Sequence, residues 1–335
     1  MHHSRHKQDN IVFQIRYCKP KEIQYVLLSG DELELSAKLD FDHQYWSSPE
    51  IAVYFIGSCN GIICFYSSND GGDFALWNPA MKQLRTLPKS PTPYAPFRQG
   101  GRLIWPATRS TDFGFDIKTN DYKVVQINPH THGTDMPTSQ VEVYNLSSDS
   151  WRIIYTDILL PVRNIYSDVT RTACKNGMYI WLGSDQPPYT NDQPNYSLLS
   201  FDLGDEVFGT IPLPKEEEKL HAPYALDFVG DKLAYIKQVM DHDRQSYCEI
   251  WVLDDFRVKN SWAKRHNIGP MGSMCAIGLT KNGDYLIATE PDSDGGERML
   301  SYNLVTHKRN CHQQKSIGGA VLRFVFYKES LVSIK

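Results

Sequence analysis

Long apolar runs are missing from this 335-residue sequence. No stretch reaches the roughly 18 apolar residues that suggest a membrane-spanning helix. The polar N-terminus, MHHSRHKQDN, lacks the apolar segment of a secretory signal peptide. We therefore predict no membrane association, a flexible N-terminus over residues 1–9, and a location in the cytoplasm, with the nucleus as a second compartment.

A strong charge of one sign is also missing. The chain carries 35 Lys and Arg against 39 Asp and Glu, a formal net charge of −4. Nucleic-acid-binding domains usually have a basic surface, so this balance argues against a nucleic-acid partner.

Cysteine pairs with the spacing of a zinc knuckle are absent, although the chain has seven Cys. Cys59 and Cys64 flank an Asn-Gly turn and could face each other across a hairpin. The alternative is that the cysteines are free thiols in a reducing compartment, and we favour it.

Catalytic signatures are scarce. There is no Gly-rich phosphate loop and no Gly-x-Ser-x-Gly elbow. SSNDGGDFALW only partly matches the Asp-box of sialidases, and Asp202, Asp254 and Asp255 are interpreted as solvated turn acids.

Three clusters could bind a metal weakly, but each lies in a loop or terminus: His2, His3 and His6; His130 and His132; and Asp241, His242 and Asp243. We predict no enzyme activity, no catalytic residue, no metal site and no cofactor.

Helical periodicity is nearly absent as well, and short alternating runs separated by Gly, Asn, Asp and Pro take its place. These runs predict strands in five successive groups of four. The third strands align on Trp77, Tyr144, Phe201, Trp251 and Tyr302, at spacings of roughly 50 to 67 residues. Four-stranded repeats of about this length are typical of propeller blades.

Strands are left over at both ends of the chain. IVFQIRY, IQYVLL and LELSAKL precede the five groups, whereas VLRFVFY and LVSIK follow them. Pairing them in a shared blade would remove an open sheet edge. We therefore predict an all-β, six-bladed, kelch-like β-propeller over residues 10–335, with its last blade closed by N- and C-terminal strands.

The connections between strands differ in length. The first-to-second and third-to-fourth turns are short, whereas the other connections are long and irregular and are predicted to emerge on one face. The longest, 88–111, carries Trp105 among arginines, and Trp and Arg are frequent in binding hot spots. The predicted partner-binding residues are Arg102, Trp105, Arg109, Asp135, Asp185, Asp192, Asp241 and Asp243.

Six sequence blocks resemble those of the F-box-associated domain of plant F-box proteins, in the same order. They are GSCNGIICF…ALWNPAMKQLRTLP, FGFDIKTNDYKVVQI, VEVYNLSSDSWR, NGMYIWLG, LLSFDLGDEVFGTIPLP and CEIWVLDDFRVKNSW. SFDLGDEVF and EIWVLDDF are most similar to the S-locus F-box proteins and their relatives.

This resemblance implies a protein-binding substrate receptor of an SCF-type ubiquitin ligase. Its partners would be a target protein and, through an F-box, a Skp-type adaptor and a cullin. For S-locus members the target is a secreted ribonuclease taken up by the pollen tube. Residues 1–50 do not show the F-box pattern, so we expect either a truncated chain or a stand-alone interaction module. A propeller hydrolase is a third alternative.

Overall fold

The computed structural model describes most of the strand-forming chain. The described residues are 10–17, 22–29, 34–39, 53–67, 72–92, 97–99, 102–104, 110–130, 138–162, 164–166, 172–185, 195–214, 225–240, 242–243, 245–255, 258, 261–280, 283–291, 297–311 and 319–335. All regular elements among them are β-strands. None of these residues therefore contributes to a helix that could cross a membrane. The predicted flexible N-terminus, 1–9, and its boundary lie outside or at the edge of the described residues.

Six antiparallel sheets form the blades of the fold, five of them with four strands and one with five. Blade 1 takes β1 (Asn10–Tyr17), β2 (Glu22–Ser29) and β3 (Glu34–Leu39) from the N-terminal end. Blade 2 consists of β4 (Val53–Cys59), β5 (Ile62–Ser67), β6 (Asp73–Asn78) and β7 (Gln83–Thr86). A separate hairpin, β8 (Phe97–Gln99) and β9 (Arg102–Ile104), follows blade 2.

The next blades repeat the same up-and-down order. Blade 3 consists of β10 (Ser110–Asp116), β11 (Asp121–His130), β12 (Thr138–Asn145) and β13 (Ser150–Ile158). Blade 4 contains β14 (Asn164–Tyr166), β15 (Thr172–Lys175), β16 (Met178–Ser184), β17 (Tyr196–Asp202) and β18 (Val207–Pro212). Both β14 and β15 pair with β16.

The last two complete blades precede the closing strand. Blade 5 consists of β19 (Ala225–Val229), β20 (Lys232–Met240), β21 (Ser246–Leu253) and β22 (Trp262–Ile268). Blade 6 consists of β23 (Cys275–Leu279), β24 (Tyr285–Pro291), β25 (Glu297–Asn303) and β26 (Arg309–Cys311). The final strand, β27 (Gly319–Tyr327), returns to blade 1.

Blade 1 closes the ring with strands from both ends of the chain. β27 is its innermost strand and pairs antiparallel with β1, from Asn10 opposite Tyr327 to Tyr17 opposite Gly319. The inner strands β27, β4, β10, β15, β19 and β23 contact their neighbours in this order. The prediction of a six-bladed propeller with a shared blade is therefore confirmed.

One strand of the prediction is wrong. LVSIK, residues 331–335, forms no strand and follows β27 as an irregular segment along blade 2. The Asn78 side chain donates hydrogen bonds to the carbonyls of Ser330 (3.0 Å) and Val332 (2.8 Å). Ile334 is 1% exposed. The segment is thus held by side chains and apolar burial and not by a sheet ladder.

The third-to-fourth turns share one design in four blades. Strand three ends in Asn78, Asn145, Asp202 or Asn303, and the residue four positions later has a left-handed φ: Lys82 (49°), Asp149 (46°), Glu206 (58°) and His307 (57°). Asp202 Oδ1 accepts the backbone N–H groups of Gly204 and Asp205, both at 2.8 Å. Asn and Asp favour such turns because their side chains accept nearby backbone N–H groups.

The core consists of one apolar layer between each pair of adjacent blades. Between blades 1 and 2, for example, Tyr25, Phe55, Phe65 and Trp77 pack with ring centroids 5.2 to 5.8 Å apart. Corresponding clusters fill the other five interfaces. Each blade therefore depends on both neighbours for burial of its two faces.

Polar contacts join the same interfaces at the rim. The indole N–H of Trp151 donates to the carbonyl of Pro88 at 2.8 Å, and that of Trp262 donates to the carbonyl of Pro212 at 2.8 Å. In both cases an outer-strand Trp binds the end of the preceding blade's outer strand. The Trp and Leu-Pro sequence blocks therefore make a repeated contact between blades.

Lys123 joins blades 3 and 4 from a buried position. Its side chain is 3% exposed, and Nζ lies 2.7 Å from Asp116 Oδ2 and 3.4 Å from Glu206 Oε1. It also donates to the carbonyl of Leu203 at 3.1 Å. The Asp-Tyr-Lys block thus encodes an inter-blade ion pair.

The possible pairing of Cys59 with Cys64 does not occur. Cys64 is opposite Gly57, and Cys59 is opposite Ile62. Both are free thiols, because the two-residue Asn60-Gly61 turn places Ile62, and not Cys64, opposite Cys59.

Candidate functional site

The antiparallel blades have two different faces. Short turns such as Asn60-Gly61 and Asn176-Gly177 lie on one of them. The opposite face carries the second-to-third and blade-to-blade connections, and we call it the loop face. The strands that end on this face are joined through residues 18–21, 40–52, 68–72, 87–109, 131–137, 159–171, 185–195, 213–224, 241–245, 269–274, 292–296 and 312–318.

The structure locates three of the eight predicted binding residues. Arg102 begins β9 in the hairpin of the longest connection, and Asp185 and Asp243 lie in second-to-third connections. The other five, Trp105, Arg109, Asp135, Asp192 and Asp241, lie outside the described residues. The eight residues together stay a predicted site.

Asp185 has a structural role at the base of its connection. Its Oδ1 accepts the backbone N–H of Asn195 at 2.8 Å, and its Oδ2 accepts the Asn195 side-chain amide at 2.7 Å. Asp243, in contrast, is exposed on the connection of blade 5. Asp243 is therefore better placed than Asp185 to contact a partner.

The longest connection is fixed to blade 3 at its start. Glu142, fully buried on β12, accepts hydrogen bonds from the Ser90 hydroxyl (2.5 Å), the Thr92 hydroxyl and the Gln140 amide (2.8 Å). This network fixes the base of the segment that carries Arg102 and Trp105. Sequence reasoning missed Glu142, because a charged residue between Val141 and Val143 fits the alternation of an ordinary half-buried strand.

A cavity of about 280 Å³ lies where the inner strands of the six blades meet. Each blade contributes to its wall, for example through Ser58, Asp112, Cys174, Asp227, Ile277 and Phe324. We call this cavity the central channel. Sequence reasoning did not identify it, because it exists only when the ring closes.

Asp227 binds across two blades at the channel wall. One oxygen accepts the N–H of Phe228 at 2.7 Å, and the other accepts the N–H of Leu279, on blade 6, at 2.8 Å. Enclosure by the strands raises the pKa of Asp227 to about 7, although part of the side chain lines the channel. The two N–H groups that donate to it oppose this shift. The carboxyl group thus satisfies N–H groups of two inner strands.

Asp112 occupies a similar place on blade 3 with fewer partners. Its Oδ1 accepts the N–H of Phe113 at 2.8 Å, while Oδ2 is buried and accepts no hydrogen bond from the described residues. The side chain is 3% exposed. Burial raises the pKa of Asp112 to about 8, although the Phe113 N–H opposes this shift.

The turn acids considered as catalytic candidates have structural partners. Asp254 lies 2.6 Å from Lys232 and 2.7 Å from Arg265, and Asp202 caps its own turn. Among the residues that the structure describes, no group of three or more His, Cys, Asp or Glu side chains could hold a metal ion. His2, His3, His6, His132 and Asp241 lie outside them.

Known proteins resemble this chain in sequence. The chain is 29% identical to the F-box protein ETP2 of Arabidopsis thaliana over 246 residues, which cover 70% of this chain and 57% of that protein. It is 24% identical to the F-box protein CPR1 of the same plant over 254 residues, which cover 71% and 57%. The chain therefore spans less than two thirds of the length of these relatives.

Solved structures resemble it in fold. TolB from Acinetobacter baumannii matches with a TM-score of 0.53 and 9% identity, over 95% of this chain and 66% of that one. A chain of a nidogen/laminin complex matches with a TM-score of 0.50 and 10% identity, over 96% and 99%. At these identities the likeness concerns the fold alone.

The closed ring, its loop face and its central channel define a six-bladed β-propeller. Residues 18–334 match the model of the F-box associated beta propeller domain. The chain belongs to this family, and the family prediction from the six sequence blocks is confirmed.

Proposed function

We propose that this propeller is the substrate-recognition module of an SCF-type ubiquitin ligase receptor and has no catalytic activity of its own. The observation that carries the proposal is the family match over 18–334, which includes almost the whole ring. The relatives named above are F-box proteins. A rigid ring that displays irregular connections on one face suits the binding of a protein target.

The remaining partners belong to the full-length receptor. Because the chain covers 57% of ETP2 and of CPR1, docking on a Skp-type adaptor and a cullin is proposed for a protein that also carries an F-box. The cytoplasm, with the nucleus as a second compartment, is the proposed place of action.

A secreted ribonuclease taken up by the pollen tube is the proposed target, as part of self-incompatibility. Support comes from the S-locus-like blocks SFDLGDEVF and EIWVLDDF. If the ribonuclease is basic, the exposed Asp243 on the loop face offers charge complementarity, which mainly affects association rate and partner choice.

The test is a fusion of an F-box module to residue 10 of this chain, produced in proteasome-inhibited plant cells. We expect ubiquitinated proteins that are absent when the fusion carries Arg102→Ala and Trp105→Ala. The same proteins from both fusions would contradict recognition through the loop face. Target binding by a full-length receptor that fails to bind a Skp-type adaptor would support the stand-alone interaction module instead.

A further inference from the structure

The central channel combines a cavity with an unsatisfied buried acid. Asp112 and Asp227 both accept the N–H of the next residue, a Phe, on their own inner strands. The second oxygen of Asp227 is bonded to Leu279, whereas the second oxygen of Asp112 has no partner among the described residues. Buried acceptors without a partner are uncommon in native proteins and need an explanation.

The channel wall around Asp112 is largely apolar. Ile56, Ile277, Phe324 and Phe326 line the same cavity and are only partly buried, so their side chains have area available for contact. A carboxyl group beside apolar and aromatic side chains suits a ligand with N–H donors on an apolar body. The volume of about 280 Å³ is near the lower end for small-molecule pockets.

One side chain of the channel wall already places an ammonium group near an aromatic ring. Nζ of Lys175 lies 5.8 Å from the centroid of the Phe228 ring, which also lines the channel. Its carboxylate partner, Asp231 at 3.0 Å, is 86% exposed on the turn beyond the channel wall. An aromatic face beside a cation is typical of sites for organic cations.

Solvent reaches the channel. The Cys174 side chain is exposed although inner strands surround it, and the Lys175 side chain is 25% exposed. A small ligand therefore has a route to the wall that carries Asp112.

We infer that the central channel binds a small organic ammonium group, which donates to the free oxygen of Asp112 in its ionised form while its apolar body packs against Ile277 and Phe324. Rotation about the Cβ–Cγ bond lets the carboxyl group present this oxygen to the ligand. The ammonium group belongs either to a free amine or to a lysine side chain of a bound protein. This site is distinct from the loop-face contacts proposed above.

The test measures binding to the purified chain by calorimetry. The probes are 2-phenylethylammonium, its neutral analogue 2-phenylethanol, and Nα-acetyl-lysine-N-methylamide for the lysine source. We expect at least one ammonium probe to bind at least tenfold more tightly than phenylethanol. Binding of phenylethylammonium would identify the source of the ammonium group as a free amine. Binding of the lysine amide would identify it as a lysine side chain of a bound protein. If neither binds at millimolar concentrations, or if the alcohol binds equally well, the proposal is wrong.

Two variants and a control locate the bound probe. Asp112→Asn should weaken binding of the ammonium probe at least tenfold. Asp205→Asn, on an exposed outer turn, should change this affinity less than twofold. Cys174→Phe should block the channel. Unchanged binding in both channel variants would overturn the inference, even if each variant folds normally.

Discussion

Asn78 connects a local turn to a distant part of the chain. Its Oδ1 accepts the N–H of Met81 at 3.2 Å, while its amide holds the carbonyls of Ser330 and Val332. The side chain is fully buried. The Asn of the Trp-Asn-Pro block therefore fixes the C-terminal segment to blade 2.

Asn78→Ala should lower the free energy of unfolding by about 2–4 kcal/mol, because up to three hydrogen bonds of about 1 kcal/mol each are lost. Asn303→Ala is the matched control, since Asn303 caps the equivalent turn of blade 6 through Val305 and Thr306. There we expect a loss of about 1 kcal/mol. Urea unfolding of both variants measures the difference, and equal losses would contradict the role in holding the C-terminal segment.

Asp112 should make stability depend on pH. Its pKa is raised from 3.8 to about 8 in the folded chain, so between these values the native state keeps a proton that the unfolded state releases. Stability then falls as pH rises through this window, by up to about 1.4 kcal/mol per pH unit. Asp112→Asn removes this loss. The free energy of unfolding of the variant, relative to that of the parent, should therefore increase from pH 5 to pH 8.

Urea unfolding at four pH values checks this expectation. The groups coupled to Asp112 are Cys64, Cys174 and Tyr179, and the pKa of each is raised well above its usual value. They stay neutral over this window. Asp227 is present in the parent and in the Asp112→Asn variant, so its contribution cancels in the difference between their stabilities. A stability difference that does not vary with pH would show that Asp112 stays ionised in the fold.

Single residues differ in how well the sequence predicts them. The Asn60-Gly61 turn was predictable because positive φ is a local property, and both residues adopt it, at 49° and 78°. The roles of Asp112 and Glu142 were not predictable, since the burial of an acid depends on strands far away in the chain. The tryptophans of the strands lie between these cases: Trp77 and Trp181 are buried, whereas Trp151, Trp251 and Trp262 are only partly buried.

Strands were the best-predicted elements, because alternation is a local signal. LVSIK has the same alternation but pairs with no strand, and Val332 and Ile334 pack between blades 2 and 3 instead. The hairpin β8–β9 and strand β14 were missed, since each strand has only three residues. Such short runs carry too little periodicity to stand out.

Two deletions should separate the closing strand from the segment that follows it. Removal of 330–335 keeps β27 but exposes the apolar layer that covers Ile334, so we expect a soluble protein less stable by at least about 2 kcal/mol. Removal of 318–335 also deletes β27 and leaves β1 with a free edge, so we expect aggregation. Leu331 does not contribute to this effect, because it is 83% exposed in the intact chain.

Size-exclusion chromatography and urea unfolding compare the two deletions. A monomeric, cooperatively unfolding protein without 318–335 would contradict closure by β27. Aggregation of the protein without 330–335 would show that the C-terminal segment, and not β27, is needed to close the ring.

At the scale of the whole molecule, closure of the ring brings connections that are far apart in the sequence onto one face. This arrangement was predictable from strand order alone, because antiparallel connections alternate between the two ends of a blade. The residues that bind a partner on this face stay a prediction. Arg102 lies in the hairpin between blades 2 and 3, and Asp243 lies on blade 5, so a target that contacts both must reach across the loop face.

Reversal of Asp241 and Asp243 to Lys should slow association with a basic target several-fold at low salt and much less at high salt. Trp105→Ala should instead raise the dissociation rate, because truncation of a buried aromatic anchor mainly affects residence time. Binding kinetics with a purified target at two salt concentrations test both. Asp205→Lys, on the opposite face, serves as the control. Parental kinetics for both variants at low salt would show that the binding face is wrongly placed.

The pairing of β1 with β27 also bears on how the protein is made. Asn10 meets Tyr327, so the first strand of the ring to leave the ribosome has to wait for the last strand of the ring. Until then, the growing chain carries an open edge and two uncovered blade faces, which are suited to chaperone binding. A message cut short before β27 would yield a product that cannot close, so ring closure reports that translation has passed this strand.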